Sequence, residues 1–156
     1  METESKKFSV KENYSWEEFE RDVKTLADKV KIDYSPDVVI AIAEGGWVPG
    51  RIIKNHIKAD YFSIGCRHHD ENYGEMEEVQ VYQEIDKKNI AGKKVLIIDE
   101  ICDSGKTLKK VCEILKRMNP SEVRSAVIHV RHSSSFTPDY FLEKKSNDNY
   151  IVYPWE

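Results

Sequence analysis

KVLIIDEICDSGKTL, residues 94–108, is the stretch that decides the fold class of this 156-residue chain. Its apolar run, Val95–Ile98, has the length of a buried parallel strand, and two carboxylates, Asp99 and Glu100, follow it directly. A short loop with Ser and Gly then opens a helix. Ligands of open α/β sheets bind beyond the carboxyl ends of strands, and a helix N-terminus attracts phosphate. The stretch therefore predicts a phosphate-binding loop with acids beside it.

Two other interpretations of the same residues compete with this one. Gly105-Lys106-Thr107 looks like the end of a Walker A loop, but that loop needs a glycine where this chain has Glu100. The other alternative is an ordinary helix capped by Asp103 or Ser104, which leaves the two acids unexplained. The pattern favours a ligand with a phosphate at the helix end and hydroxyls or a metal near the acids.

The stretch resembles the phosphoribosyl-pyrophosphate (PRPP) signature of type I phosphoribosyltransferases, which is a hydrophobic strand, two acids and Asp-[Ser/Thr]-Gly-x-[Ser/Thr]. The resemblance implies that Asp99 and Glu100 hold the ribose hydroxyls, directly or through Mg²⁺. It implies that Asp103 acts as general acid or base. The expected 5′-phosphate ligands are Asp103, Ser104, Gly105, Lys106 and Thr107.

A second motif, AEGGWVPG at residues 43–50, follows the apolar run Val38–Ala43. By itself it predicts a tight turn between a strand and a helix. It also resembles the pyrophosphate loop of purine phosphoribosyltransferases, which implies that Gly45 and Gly46 contact pyrophosphate. Glu44 departs from the family pattern, which has a basic residue there, so we expect Arg67 to supply the cation, with Glu44 orienting it or reaching Mg²⁺ through water. A solvated Arg67 remains the alternative.

The C-terminal segment resembles the part of xanthine-guanine and archaeal 6-oxopurine enzymes that covers the base. By position, Arg131 would donate to the purine 6-oxygen, Tyr150 would stack on the base, and Ile151 would lie beside it. Arginine carries only donors, which favours a 6-oxo over a 6-amino purine. The alternative for Tyr150 and Trp155 is packing that closes the domain, and we expect this role for Trp155.

The alternation of strands and helices predicts an α/β fold with a twisted, mainly parallel sheet flanked by helices and a small C-terminal hood. We expect one domain over residues 1–156, a loosely ordered start at residues 1–12, a mobile loop at residues 66–80 that closes over the site, and a hood at residues 132–156. Ser15 and Glu18 form a capping-box pattern for a helix over residues 15–31. His129 lies in an apolar run and is expected in the core.

Composition limits the remaining possibilities. The net charge of −4 argues against a general nucleic-acid binder, and the sequence has no apolar stretch of membrane-spanning length. Three scattered cysteines and no signal-peptide pattern favour the cytoplasm. The resemblance implies a purine-salvage enzyme that uses PRPP, a purine base and Mg²⁺, and that forms a dimer or tetramer. The same fold acting on another base, or a ligand-sensing protein without turnover, remains open.

Overall fold

The computed structural model of the protein describes residues 8–69 and 74–156. In chain order, the elements are β1 (Val10–Asn13), α1 (Trp16–Asp33), β2 (Val38–Ala43), α2 (Trp47–Ile57), β3 (Asp60–His69), β4 (Glu75–Gln83), a 3-10 turn (Lys87–Asn89), β5 (Lys94–Cys102), α3 (Lys106–Lys116), β6 (Glu122–Arg131), β7 (Glu143–Lys145) and β8 (Asn149–Val152).

The main sheet has six strands in the order β4-β3-β2-β5-β6-β7. Every neighbouring pair is parallel except β3 and β4, which are antiparallel. This confirms the predicted mainly parallel α/β sheet. The two central strands, β2 and β5, are adjacent, so the segments that follow them emerge side by side at one edge of the sheet.

Both faces of the sheet are covered by helices. Alternate residues of β2 and β5 enter two separate apolar clusters, because successive side chains on a strand point to opposite faces. Val39 and Ile98 belong to the cluster with α1 and α2, whereas Ile40 and Ile97 belong to the cluster with α3. The sheet is therefore buried on both sides, as its continuous apolar strands predict.

The first long helix begins where its capping pattern predicts. The Ser15 hydroxyl accepts from the Glu18 backbone N–H at 3.1 Å, and the Glu18 carboxylate accepts from the Ser15 N–H at 2.8 Å. Its buried residues are Phe19, Val23, Leu26, Ala27 and Val30. In the described ranges, no helix is long and apolar enough to cross a membrane.

Two segments differ from the sequence predictions. The expected loose start at residues 1–12 is wrong for residues 10–12, because β1 pairs in parallel with β8 in a separate two-stranded sheet. Residues 66–80 are largely strand rather than loop, because β3 continues to His69 and β4 folds back along it from Glu75. The tip of the predicted loop, residues 70–73, lies outside the described residues. His68, which we expected in that loop, is buried in β3.

Candidate active site

The register of the sheet brings the predicted site residues to one edge. Cys102 of β5 pairs with Val130 of β6, so Asp103 and Arg131 come next on neighbouring strands. Their side chains meet, with the Arg131 Nε 3.6 Å from the Asp103 Oδ1. The first acid of the phosphate loop therefore lies against the residue that was expected to bind the base.

The glycine loop after β2 packs tightly against β5. A methyl group on Gly46 would lie 2.5 Å from the Ile98 carbonyl oxygen and 2.8 Å from that of Ile42, so backbone blocks any side chain there. A methyl group on Gly45 would lie 2.6 Å from the Glu100 Cδ. Gly46 lets the loop reach the sheet, and Gly45 leaves room for an acidic side chain of the site.

The two acids lie inside β5, not after it as the sequence predicted, because the strand continues to Cys102. Alternation then directs them to different sides of the sheet. Glu100 lies on the Gly45 side, whereas Asp99 lies near the thiols of Cys66 and Cys102. The Asp99 Oδ1 also accepts a hydrogen bond from the Glu100 N–H at 2.8 Å.

Burial makes both carboxylates hard to ionise. It raises the pKa of Asp99 well above its usual range, and the Glu100 charge acts in the same direction. Burial also raises the pKa of Glu100 to about 7, against the effect of a hydrogen bond from Trp155. The site therefore holds two acids whose charged forms call for a cation or hydrogen-bond donors from a ligand.

Trp155 is a site residue that the sequence reasoning missed. Its indole Nε1–H donates to the Glu100 Oε2 at 2.8 Å, although we expected only a packing role. The indole also stacks on the Tyr153 ring, with centroids 5.2 Å apart. The available signal was chemical, because a Trp N–H in a packed segment needs an acceptor.

The phosphate loop is held by the hood. Gly105, with φ 90°, is the N-cap of α3, a position that the capped-helix alternative gave to Asp103 or Ser104. The Ser104 hydroxyl still accepts from the N–H of Lys106, the first residue of the helix, at 3.3 Å. The Ser104 carbonyl oxygen accepts from both the N–H and the hydroxyl of Ser135, each at 2.9 Å. The hood thus holds the backbone of the loop just before the helix begins.

Glu44 and Arg67 do not meet. Both side chains are exposed, and the described residues include no ion pair between them. The Arg67 guanidinium lies over the Tyr82 ring, 5.7 Å from its centroid. The Glu44 charge is close enough to Tyr82 to contribute to its raised pKa, after the larger effect of burial. Glu44 therefore does not orient Arg67 in this structure, and the roles of both residues toward pyrophosphate remain predictions.

Of the predicted base-binding residues, Tyr150 and Ile151 lie in the hood, and Arg131 contacts the hood from the end of β6. Arg131 is only 4% exposed and donates from Nη1 to the Ser146 carbonyl oxygen at 2.6 Å. Among the described residues, its Nε has no hydrogen-bond partner. Tyr150 is 42% exposed, and Ile151 next to it is buried in the core.

His129 is buried in the core, as predicted, and lies on β6 two residues before Arg131. Its Nδ1 is 2.9 Å from the Tyr153 hydroxyl, and the edge of the Tyr14 ring packs against it. Burial lowers the pKa of His129 to about 4, so the imidazole is neutral in the folded protein at neutral pH.

These features, a parallel sheet with two acids and a glycine-containing loop at its carboxyl edge, place the protein among open α/β proteins that bind their ligands at this edge. The comparison with known proteins gives the family. The model of the phosphoribosyl transferase domain matches residues 9–155, so the chain belongs to the phosphoribosyltransferase family. The family predicted from the signature is therefore confirmed.

Three individual proteins show the extent of the similarity. The chain is 27% identical to the xanthine-guanine phosphoribosyltransferase of Nitratidesulfovibrio vulgaris over 142 residues, which is 91% of this chain and 82% of the relative. The crystal structure of a purine phosphoribosyltransferase from Pyrococcus horikoshii matches with a TM-score of 0.81 and 28% identity, covering 94% of this chain and 93% of that one. A hypothetical protein from Neisseria gonorrhoeae with bound ppGpp matches with a TM-score of 0.79 and 26% identity, covering 94% and 89%.

Proposed function

We propose that this protein transfers the 5-phosphoribosyl group of PRPP to a nitrogen of a 6-oxopurine base (hypoxanthine, guanine or xanthine) in purine salvage. The products are the nucleoside monophosphate and pyrophosphate. The observation that carries the proposal is the single edge at which the acids of β5, the loop into α3, the glycine loop and Arg131 converge.

The loop into α3 is the 5′-phosphate site of the proposal. Backbone N–H groups of Gly105, Lys106 and Thr107 and the hydroxyls of Ser104 and Thr107 are suitable phosphate donors, and Asp103 opens the loop. The two hydrogen bonds from Ser135 to the Ser104 carbonyl oxygen support this role, since they hold the loop in place before any ligand arrives.

Asp99 and Glu100 would hold the ribose hydroxyls and Mg²⁺. Carboxylate oxygens are preferred Mg²⁺ ligands, and the raised pKa of both acids fits a site whose charge is balanced by a bound cation. When bound, Mg²⁺ would supply charge neutralisation on the departing pyrophosphate. Trp155 would orient Glu100 through its indole N–H.

The glycine loop would carry the pyrophosphate. Gly45 and Gly46 allow backbone to approach the ligand, and the exposed Arg67 is free of an ion pair with Glu44 and can turn toward a phosphate. Glu44 adds negative charge at this point, so its role fits a metal-bound pyrophosphate better than a bare one.

The base would lie between Arg131 and Tyr150. The buried Arg131 Nε, which has no hydrogen-bond partner in the described part of the chain, supports a ligand oxygen as its acceptor. Tyr150 offers an exposed aromatic face, and the backbone at Ile151 lies beside it. The purine relatives named above support a 6-oxopurine over other bases.

Asp103 is the candidate general acid or base. Its half-exposed carboxylate lies 3.6 Å from Arg131, so it occupies the boundary between the sugar-phosphate loop and the base region. A carboxylate there can accept or return the proton at N7 of the purine as the bond to the ribose forms. The sugar that carries positive charge at that moment lies next to the acids of β5.

One assay tests the proposal. The protein is incubated with Mg²⁺, PRPP and each of hypoxanthine, guanine, xanthine and adenine, and nucleotide and pyrophosphate are both measured. We expect equal amounts of the two products with at least one 6-oxopurine and none with adenine. Product from adenine alone would reassign the base, and no product from any base would refute the transferase function.

A ligand-sensing protein is the second candidate, and Glu44 is the observation that favours it. An acid replaces the cation of the pyrophosphate loop, which would weaken the contact needed for turnover. The relative from Neisseria gonorrhoeae, solved with ppGpp, indicates that this fold can hold a phosphorylated guanine nucleotide. Calorimetric binding of a purine nucleotide, together with no turnover in the assay above, would favour the sensor.

The proposal includes a cytoplasmic, homo-oligomeric enzyme. The three cysteines are all free, which agrees with a reducing compartment. Trp16 and Trp47 expose 57% and 44% of their surface, which is unusual for large aromatic residues and agrees with a subunit contact. Light scattering in solution, with a dimer or tetramer as the expected result, tests the second point.

A further inference from the structure

Phe8 lies at the N-terminal edge of the described chain, beside the segment that carries Tyr150. The backbone N–H groups of Ser9 and Val10 both donate to the Asp148 carbonyl oxygen, at 3.0 and 3.3 Å. From there β1 runs parallel to β8, with Lys11 opposite Tyr150. Residues 9–13 are therefore fixed next to the proposed base site, although Phe8 itself precedes the paired strand.

The Phe8 ring contacts both proposed base-binding residues. Its centroid is 5.3 Å from that of Tyr150, with the rings tilted by 59°, and 5.4 Å from the Arg131 Cζ. A purine that stacked on Tyr150 and accepted a hydrogen bond from Arg131 would need its own ring at similar distances from both. The phenyl ring therefore stands where the base is expected.

The spacing excludes a base between Phe8 and Tyr150. A flat ring inserted between two others needs roughly 7 Å between their centroids, which is twice a carbon contact of about 3.5 Å. The observed 5.3 Å leaves no such gap. The guanidinium is also covered, since Arg131 is only 4% exposed. A purine can reach both residues only after the phenyl ring has moved.

We propose that Phe8 occupies the base subsite of the base-free enzyme and leaves it when a purine binds. The inference rests on the proposed function, because it assumes that Arg131 and Tyr150 bind the base. A subsite that is open in only a fraction of molecules has an apparent affinity reduced by that fraction. Removal of the phenyl ring therefore strengthens base binding, whereas removal of a wall of the subsite would weaken it.

Steady-state kinetics of Phe8→Ala test this proposal. We expect the KM for the preferred base to fall about fivefold or more, and the KM for PRPP to stay within twofold of the wild type. Val10→Ala is the matched control, because Val10 is exposed, lies only two residues further along the chain and is not part of the base region. It should leave both constants unchanged.

The outcomes separate this proposal from the transferase function. A wild-type protein inactive with every base overturns both. An active wild type with an equal or higher base KM in Phe8→Ala overturns only the role of Phe8. If the variant fails to fold, NMR spectroscopy of the wild type tests the proposal instead. Saturation with the nucleoside monophosphate product should abolish the nuclear Overhauser contacts between the Phe8 and Tyr150 rings. Their persistence would overturn the proposal.

Discussion

The two halves of the candidate site are built in different ways. The sugar-phosphate half, residues 44–46 and 99–107, consists of the end of β5 and of the segments that follow the adjacent strands β2 and β5. The base half, residue 131 and residues 146–155, depends on the segment around β8, which is fixed by pairing with β1. The first half rests mainly on the sheet, and Ser135 and Trp155 add hydrogen bonds from the hood. The second needs two strands about 140 residues apart to pair, and four predictions test this difference.

Asp103, at the boundary of the halves, should give the largest effect. Asp103→Asn keeps the size of the side chain but removes the group that exchanges a proton with the base. We expect kcat to fall by about 10²–10⁴-fold, with much smaller changes in both KM values. Asp28→Asn, the same change at an exposed position of α1, is the control and should leave kcat unchanged. An unchanged kcat in Asp103→Asn would remove it from the chemical step.

Substitutions of the neighbouring glycines of the sugar-phosphate half should affect different properties, PRPP binding for Gly45 and stability for Gly46. Gly46→Ala places a methyl group against two backbone carbonyl oxygens that cannot move, so we expect a loss of about 3 kcal/mol in unfolding free energy. Gly45→Ala meets only the Glu100 side chain, which can rotate away. That variant should keep most of its stability and show a higher KM for PRPP. Urea unfolding and kinetics measure the two effects, and equal stability losses would contradict this distinction.

His129, two residues before Arg131 on β6, should make an acid-sensitive contribution to stability. Its pKa is about 4 in the folded state and near 6.5 when unfolded, so between these values the unfolded chain binds more protons. This contribution should fall by about 3 kcal/mol in total as pH decreases from 6.5 to 4, while the raised pKa of Glu100 acts on the same curve in the opposite direction. His129→Phe should therefore lose less stability on acidification than the wild type, or gain more, while the exposed His132→Ala should not differ. A curve of unchanged slope in His129→Phe would refute the assignment.

Trp155 connects the halves and should give the smallest effect. Trp155→Phe keeps an aromatic ring against Tyr153 but loses the N–H that holds Glu100. We expect the KM for PRPP to rise about tenfold, as for the loss of one hydrogen bond to a charged group, with little change in the base KM. An increase confined to the base KM would show that Trp155 serves the other half.

The same difference explains what could be predicted from the sequence. The strand and loop of residues 94–108 and the pair Gly45-Gly46 are local sequence patterns. The structure places both at the same edge of the sheet, as expected. The position of the acids within β5 was missed, because hydrophobicity marks the buried part of a strand and not its end. The contacts of Trp155 with Glu100 and of β1 with β8 join residues 55 and about 140 positions apart, and no local pattern encodes them. The family is confirmed, while the roles of single residues remain predictions.

The pairing of β1 with β8 has a consequence for synthesis of the protein. Translation produces β1 before, and β8 after, every strand of the main sheet, so β1 waits without its partner while the whole sheet is made. Five of the six strands of that sheet, β2 to β6, are complete once β6 has emerged, and they can assemble earlier. A nascent chain could thus acquire a place for the sugar phosphate before it can recognise a nucleobase, which needs β8.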